Sequence, residues 1–285
     1  MTDFAIPVTR SRRSELLTAL FRSGAFVAGV SIVFFWVFCS LFGPYIVPFD
    51  PLADDVLNAL GPPSAVHWFG TDQLGRDIFS RVIVGSRDIL TVAPLALILA
   101  TAVGTVLGLL TGYFRGIVDD VVSRLIEAKM AIPGTIIALL AIVALGTSQT
   151  TVVVVIGLSF GPVIARTVRA AVLSERELDY VAAAKLRMEN SAHIMFIEIL
   201  PNILPPILVE STVRLGYAIF AVTTLSFLGF GVQPPSPDWG LSISTNYSMI
   251  SGGYWWTVVF DALAIASLVI AVNLTADGLH GALDD

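Results

Sequence analysis

Charged residues are scarce in this chain. Asp, Glu, Lys and Arg make up 13% of its 285 residues, against about 25% in soluble domains, whereas 55% of its residues are hydrophobic. This composition excludes an ordinary soluble domain and predicts a membrane protein. Lysine occurs only at Lys129 and Lys185, and no basic patch is interleaved with aromatic residues, so nucleic-acid binding is not expected.

Cysteine and histidine are also rare. Cys39 is the single cysteine, so it forms no internal disulfide, and its position inside an apolar run predicts a packed thiol. His67, His193 and His280 lie far apart and show no metal-ligand spacing. The sequence has no Ser-His-Asp, Cys-His or paired-carboxylate pattern, and no phosphate-binding loop of the form GxxxxGKS or GxxxxGKT. We therefore expect a non-catalytic chain that itself binds no metal and no nucleotide.

Six apolar runs are long enough to cross a membrane, which takes about 20 residues per helix. We predict an all-α membrane protein with spans at 24–46, 89–112, 118–145, 151–173, 203–231 and 256–276. The first run is longer than the core of a signal peptide and lacks a cleavage site, so it is interpreted as a retained anchor. The third is the weakest, because charges crowd its start, and Pro133-Gly134 is expected to bend it.

Basic residues are concentrated on one side of this arrangement. Four arginines precede the first span, three Lys or Arg lie within 115–129 and five lie within 166–187. Because cytoplasmic segments carry the excess of Lys and Arg, both termini are predicted in the cytoplasm. Trp68, Trp239, Trp255 and Trp256 then fall on the outer side, where an interfacial aromatic belt is expected.

These assignments divide the chain into five segments. We predict a cytoplasmic N-terminal segment 1–23, a first anchor 24–46 and an extracytoplasmic loop 47–84, with an interfacial helix over 78–90. A five-helix core covers 85–276 and includes the longest inner loop, 174–202, and residues 277–285 form a cytoplasmic tail.

The inner loop contains a soluble-looking helical insert, LDYVAAAKLRMENSAHIMFIEILPN (178–202). Asp179 is the expected N-cap of a helix over 180–187. Val181, Ala184 and Met188 recur at helical spacing and predict a narrow apolar face on a slim helix. Such a face suits insertion into a groove of another protein or, alternatively, a position on the lipid surface.

The second half of the insert is predicted as another short helix. Asn190-Ser191 is expected to end the first helix, and Ser191 to cap a second one that runs to Leu200. Pro201 then breaks the chain as it returns to the membrane.

Several stretches carry a family resemblance. The insert resembles the EAA loop of ABC importer permeases, with residues 182–184 in place of Glu-Ala-Ala, Met188 in place of the usual glycine, and an ending in Leu200-Pro201. Ala182 and Met188 depart from the family pattern. Four further stretches resemble, in order, the C-type permease subunit of dipeptide, oligopeptide and nickel importers: HWFGTDQLGRDIFSRVIVGSRDIL (67–90), GYFRGIVDD (112–120), LSFLGFGVQPPSPDWG (225–240) and NLTADGLHGALDD (273–285).

The resemblance implies a type I ABC importer permease in the plasma or inner membrane, in contact with membrane lipid. It implies a heterodimer with a second permease, two cytoplasmic ATPases that bind ATP and Mg²⁺, and an extracytoplasmic binding protein that delivers the substrate. Residues aligned with the EAA loop would be the coupling helix to the ATPases: Asp179, Tyr180, Val181, Ala182, Ala183, Ala184, Lys185, Leu186, Arg187, Met188, Leu200 and Pro201.

Met188 is the departure with the largest expected effect. A glycine would permit a tight helix end, whereas Met188 is expected to adopt an ordinary backbone and to extend the apolar face. Either the ATPase has a matching pocket, or the turn shifts to Asn190.

Ionisable residues within the spans are candidates for a translocation path, because charges at membrane depth usually face a bundle interior or water. Glu210 and Arg214 stand at i, i+4; they either line the path or form a self-satisfied pair, which the spacing favours. Asp261 either lines the path or caps a neighbour. Phe227, Gly229 and Phe230 lie near the outer exit, as a gate or as a rigid anchor of the loop.

Two further groups of charged residues have simpler interpretations. Asp72 is expected to cap a helix and to pair with Arg76 or Arg87. An inner-surface network is predicted from Asp119, Asp120, Arg124 and Glu127.

The function that the family resemblance implies is that of an ATP-driven import permease for peptides of the dipeptide or oligopeptide class. The alternative is a stand-alone secondary transporter or channel, which predicts internal repeats or broken half-helices near the middle of the membrane.

Overall fold

The computed structural model describes residues 20–284, and the side chains of residues 20–282. Most of the predicted N-terminal segment 1–23 therefore lies outside the described residues. Within them the chain is helical without a β-strand, as predicted, and a single isolated bridge joins Thr71 to Asp77. The helices of eight or more residues are α1 (Gly24–Ile46), α2 (Ile78–Phe114), α3 (Ile117–Met130), α4 (Gly134–Leu145), α5 (Gln149–Glu175), α6 (Asp179–Leu186), α7 (Leu204–Phe227), α8 (Trp239–Asn246) and α9 (Trp256–Asp284).

Five of these helices are long and apolar enough to cross a membrane, namely α1, α2, α5, α7 and α9. A sixth span is present if α3 and α4 are taken together, but the two are bent by 87° at a short break. The predicted bend at Pro133-Gly134 is confirmed, with Pro133 at the N-cap of α4. The break divides the weak third span into a charged helix and a short, wholly apolar one.

Helix α2 differs from its prediction. The segment 78–90, expected as a separate interfacial helix, is the beginning of one continuous 37-residue helix. Asp77 caps it by accepting a hydrogen bond from the Ser80 amide at 2.8 Å, and Pro94 is accommodated within it. At about 1.5 Å per residue α2 is roughly 55 Å long, so it extends well beyond a bilayer core of about 30 Å.

The C-terminal ends of the last two spans also differ from prediction. Helix α7 ends at Phe227, not at residue 231, because the chain turns at Gly229 with φ +81°. Helix α9 continues to Asp284, through most of the predicted tail 277–285, since nothing in NLTADGLHGALDD interrupts it.

Among the described residues, helices α2 and α5 make the most extensive helix–helix contact, and glycines make this approach possible. Gly104, Gly108 and Gly112 recur every four residues on α2 and face Ile164, Val168 and Val172 of α5. A Cβ added at Gly108 would lie 2.5 Å from the Cβ of Val168, so only glycine fits this spacing. Small residues at this interval allow membrane helices to pack with their backbones close together.

Tryptophans anchor the core at the predicted outer side. The prediction of an interfacial belt is wrong for Trp239, which is fully buried and donates its indole N–H to the Val82 carbonyl at 2.8 Å. Its ring lies 4.8 Å from that of Trp36 in an edge-to-face arrangement. Trp256 is buried as well, whereas Trp68 and Trp255 are about half exposed. Cys39 is buried, which confirms the packed thiol.

Buried ion pairs fix the outer loop to α2. Asp72 accepts a hydrogen bond from Arg76 Nε at 3.0 Å, the predicted pair, and its second cation is Arg81 at 3.8 Å, not Arg87. Asp72 does not cap a helix; it holds a turn by accepting from the Leu74 and Arg76 amides. Arg81 is buried and donates to the carbonyls of Pro51 and Ser236, so it joins the outer loop to the segment before α8.

Candidate functional site

The inner loop between α5 and α7 contains two short helical pieces, as predicted, but with different caps. Helix α6 begins at Asp179, and its N-cap is Leu178, whose side chain makes no capping bond. The second piece, Ser191–His193, continues as a π-helix over Ile194–Ile199. Asn190 caps it, not Ser191, because its side-chain oxygen accepts the His193 amide at 2.7 Å.

The buried face of α6 is narrower than predicted. Val181 and Ala184 are fully buried against Ile194, Ile199 and Ile203 of the second piece and its continuation. Met188, the predicted third member of this face, is 91% exposed. The expected single apolar stripe is therefore wrong, because the helix ends at Leu186 and the chain has turned before Met188 is reached.

Met188 itself forms the turn. Its φ is +60°, in the left-handed region that favours glycine. The Met188 amide donates to the Lys185 carbonyl and the Glu189 amide to the Ala184 carbonyl, which is the hydrogen-bond pattern of a Schellman helix end. The expectations of an ordinary backbone at Met188 and of a shifted turn are both wrong. Met188 thus keeps the backbone geometry of the usual glycine and adds a long, exposed apolar side chain at that position.

The face of α6 that points away from the bundle consists of exposed apolar residues. We call Ala182, Ala183, Leu186 and Met188 the exposed α6 face. Leu186 and Met188 are among the most exposed large hydrophobic side chains in the described chain. Lys185 and Arg187, which flank this face, are exposed too. An apolar patch rimmed by charges is typical of a protein-binding surface.

An ion-pair clamp stabilises the turn behind this face. Arg187 Nε donates to Glu189 at 2.6 Å and Arg187 Nη2 to Glu198 at 2.8 Å. The hydrogen bond from Arg187 to Glu189 raises the pKa of this exposed guanidinium. His193 Nε2 lies 3.3 Å from the other Glu189 oxygen. Ligand atoms of Glu189, His193 and Glu198 lie within 4.8 Å of one another, but Arg187 pairs with both carboxylates, so we interpret the group as a clamp.

Polar contacts join the inner loop to α2 and α5. Arg176 donates to the carbonyls of Gly112 and Tyr113 at the end of α2, at 3.2 and 2.6 Å. The Tyr180 hydroxyl donates to Glu175 at 2.7 Å, and burial together with this bond raises the pKa of Tyr180 to about 12. Leu200 packs against the cluster around Ile199, whereas Pro201 is exposed in the turn before α7. These contacts connect α6 to the end of α5, and the end of α5 to the end of α2.

The predicted path residues lie in three separate places. Glu210 and Arg214 form an ion pair at 2.6 Å on α7, as their spacing predicts, and Arg214 lies over the Tyr217 ring. Phe227, Gly229 and Phe230 follow at the other end of α7, where Phe227 is 40% exposed and Phe230 is partly buried.

Asp261 is isolated from both groups. It is fully buried in α9 beside Ser242 of α8, and its Oδ1 has no hydrogen-bond partner among the described residues. Asp261 therefore lies at the contact between α9 and α8, and both interpretations of this residue stay predictions.

A cavity at the break between α3 and α4 was not predicted. Its volume is about 360 Å³, and residues of the break, α5 and α7 line it: Lys129, Met130, Ile132, Gly134, Thr135, Ala138, Ile156, Ser159, Phe160, Val163, Ala221, Thr224 and Leu225. Lys129 is the one charged residue among them, and its ammonium donates to the Ser159 carbonyl. The break at Pro133-Gly134 was the only signal in the sequence that pointed to this place.

The predicted inner network is mostly replaced by one strong pair. Asp119 accepts two hydrogen bonds from Arg169 of α5, at 2.7 and 2.6 Å, and a third from Ser123. The side chains of Asp120, Arg124 and Glu127 make no hydrogen bond or ion pair with any residue in 20–282. The prediction of a four-residue network is therefore wrong, because the partner of Asp119 comes from another helix.

Comparisons with known proteins agree with this geometry. Residues 104–285 match the family model described as "Binding-protein-dependent transport system inner membrane component". The chain is 36% identical to the dipeptide transport system permease protein DppC of Alkalihalophilus pseudofirmus, over 90% of this chain and 84% of that protein. It is 36% identical to DppC of Haemophilus influenzae, over 90% and 88%, and 33% identical to the probable D,D-dipeptide transport system permease protein DdpC of Escherichia coli, over 97% and 92%.

A solved structure shares the fold. A chain of the MetNI methionine ABC transporter, in an inward-facing conformation, aligns with a TM-score of 0.57 at 18% identity, over 71% of this chain and 96% of that one.

Proposed function

Since the chain belongs to the family of binding-protein-dependent transport system inner membrane components, we propose that it is the permease subunit of an ATP-driven importer of short peptides. Three relatives that match at 33–36% identity over most of the chain are named as dipeptide transport permeases, which supports the peptide class. The substrate path would lie between this chain and a second, different permease. An extracytoplasmic binding protein would deliver the peptide.

The observation that carries the coupling mechanism is the two-sided structure of α6. One side, Val181 and Ala184, is packed into the bundle, and the other, the exposed α6 face, has no partner among residues 20–282. Two cytoplasmic ATPases with bound ATP and Mg²⁺ would each receive such a face, one from each permease. Closure of the ATPases would then move α6, and the contacts of Arg176 with the end of α2 would carry this movement to the spans.

The orientation follows from charge. The predicted inner segments contain most of the Lys and Arg, so we place both termini and α6 in the cytoplasm, in a multi-pass protein of the plasma or inner membrane. The chain has no phosphate-binding loop, which supports a subunit that binds no nucleotide and leaves hydrolysis to its partners.

The alternative, a secondary transporter or channel, has one observation in its favour. The break between α3 and α4 is a discontinuous span of the kind that secondary transporters use. Family membership favours the ATP-driven mechanism. Transport by reconstituted complex that requires ATP and persists without an ion gradient would support it, and transport by this chain alone without ATP would exclude it.

The experiment that tests the coupling role is Ala183→Asp. This residue is exposed on α6, so the substitution leaves the packing of the loop intact and introduces a charge into the apolar docking face. We expect membrane insertion at the wild-type level, with loss of ATPase co-purification and of transport. The matched control is Ala65→Asp at an exposed alanine of the outer loop, and it should retain both ATPase co-purification and transport. ATPase recovered at wild-type yield with Ala183→Asp would refute the proposal. Ala184→Arg is unsuitable, because Ala184 is buried and the loop itself would be disrupted.

A further inference from the structure

The cavity at the α3–α4 break combines an apolar lining with one cation. Its walls come from three separate parts of the bundle, with Ala138 of α4, Phe160 of α5 and Leu225 of α7 among them. A volume of about 360 Å³ falls in the range of small-ligand sites, which is roughly 300–1,000 Å³. A mostly apolar wall with few polar groups is the common composition of such sites.

Lys129 is the residue that distinguishes this cavity from a packing defect. It is the penultimate residue of α3 and is partly buried. Its ammonium donates to one neutral acceptor, the Ser159 carbonyl, and no carboxylate of residues 20–282 lies within ion-pair distance of it. A partly buried ammonium without a counter-charge can form a charge-assisted hydrogen bond with an anionic group of a ligand.

The surroundings of Lys129 strengthen its positive potential. Helix α4 starts at the same cavity with Gly134 and Thr135, and no side chain caps its first turn. The dipole of α4 therefore adds to the field of the ammonium. The lysine remains the group that can form a direct ion pair.

We propose that Lys129 binds the terminal carboxylate of the peptide while the peptide passes through this cavity. The proposal rests on the proposed function, because it assigns a contact within that peptide path. A single ammonium suits a single carboxylate, whereas phosphate-bearing ligands are usually held by several cations or by arginine forks. The apolar wall offered by α4, α5 and α7 would accept peptide side chains of different shapes without selecting among them.

The test compares a short peptide that has a free C-terminal carboxylate with the same peptide as its C-terminal amide. Uptake is measured in vesicles that contain the purified complex with its ATPases and binding protein, for wild type, Lys129→Met and Lys129→Arg. A hydrogen bond to a charged group contributes enough to change uptake by about tenfold or more. We expect Lys129→Met to lower carboxylate-peptide uptake by that factor and to change amide-peptide uptake by less than twofold. Lys129→Arg, which keeps the charge, should preserve the preference.

Arg124→Met is the matched control, since Arg124 is an exposed cation of the same helix that does not line the cavity. It should leave the uptake of both peptides unchanged. The binding protein contributes equally in every variant, so the change in the ratio between the two peptides reports on Lys129 alone.

Two results would overturn the inference. If Lys129→Met lowers the uptake of both peptides equally while the ATPases stay bound, Lys129 instead has a structural role or pairs with an acidic residue of the second permease. An unchanged ratio would exclude contact with the carboxylate. If Lys129→Met does not accumulate in the membrane, Lys129→Gln is compared with Lys129→Arg by the same ratio. Failure of wild type to take up either peptide would instead refute the proposed function.

Discussion

Met188 provides the sharpest test of how the inner loop works, because its backbone and its side chain have separable roles. The backbone adopts φ +60°, and the side chain is 91% exposed. Met188→Gly removes both the side chain and the backbone strain, whereas Met188→Ala removes the side chain and keeps the strain. Comparing the two variants separates the contributions.

The magnitudes follow from this geometry. A left-handed residue with a Cβ is less favourable than glycine by about 1 kcal/mol, so Met188→Gly should leave the permease at least as stable as wild type and more stable than Met188→Ala. Full burial of a methionine side chain contributes about 1.5–3 kcal/mol. If the exposed α6 face enters a pocket of the ATPase, both variants should therefore weaken ATPase binding by about 10- to 100-fold.

Two measurements check this prediction. Thermal unfolding of the detergent-solubilised permease gives the order of stability, and titration with purified ATPase gives the dissociation constants. Unchanged ATPase affinity in both variants would refute the docking of Met188. A permease with Met188→Gly that unfolds at a lower temperature than one with Met188→Ala would refute the argument from backbone strain.

Three further predictions concern packing and charge. Gly108→Ala should destabilise the α2–α5 pair by about 1–3 kcal/mol, because its Cβ would overlap Val168, and the double variant with Val168→Ala should recover part of the loss in thermal unfolding. Asp119→Asn should lower the free energy of unfolding by on the order of 1–2 kcal/mol, since solvent partly screens Arg169. If the pair stabilises the protein by its charge, exchanging the two residues (Asp119→Arg with Arg169→Asp) should restore that stability. Burial raises the pKa of Asp238 from 3.8 to about 6. Its ionised form therefore destabilises the folded state above that pH, and this destabilisation disappears as the pH falls toward 3.8. Lowering the pH from 7 to 5 should therefore stabilise the wild type by on the order of 1 kcal/mol more than it stabilises Asp238→Asn. The asparagine keeps an oxygen that can accept the hydrogen bond of the Leu241 amide. An equal response of the two proteins to pH would contradict this prediction.

Features that depend on neighbouring residues were predictable from the sequence. The first span has the bounds 24–46 that its uniform apolar run predicts, and the bend at Pro133-Gly134 follows from the chemistry of those two residues. The Glu210–Arg214 pair formed because one helical turn brings the two side chains together. Each of these signals is contained within a few consecutive residues.

Features that depend on another helix were not predictable. The burial of Trp239 requires Trp36 and Val82, which lie more than 150 positions away in the chain. The close approach at Gly108 requires Val168, and the partner of Asp119 is Arg169. Met188 shows the same limit for a backbone: it adopts a left-handed turn that its own side chain disfavours, at the end of a helix whose Val181 and Ala184 are packed into the bundle.

The glycine ladder between α2 and α5 has a mechanical consequence. With side chains of α5 seated against the α2 backbone at three successive turns, the two helices cannot slide or separate without losing all three contacts, so they behave as a single stiff rod. One end of this rod carries the turn that leads into α6, and the other reaches the outer loop through Asp77 and Arg81. If the ATPases of the proposed complex push on this end, the far end of α2, roughly 55 Å away, should tilt with it.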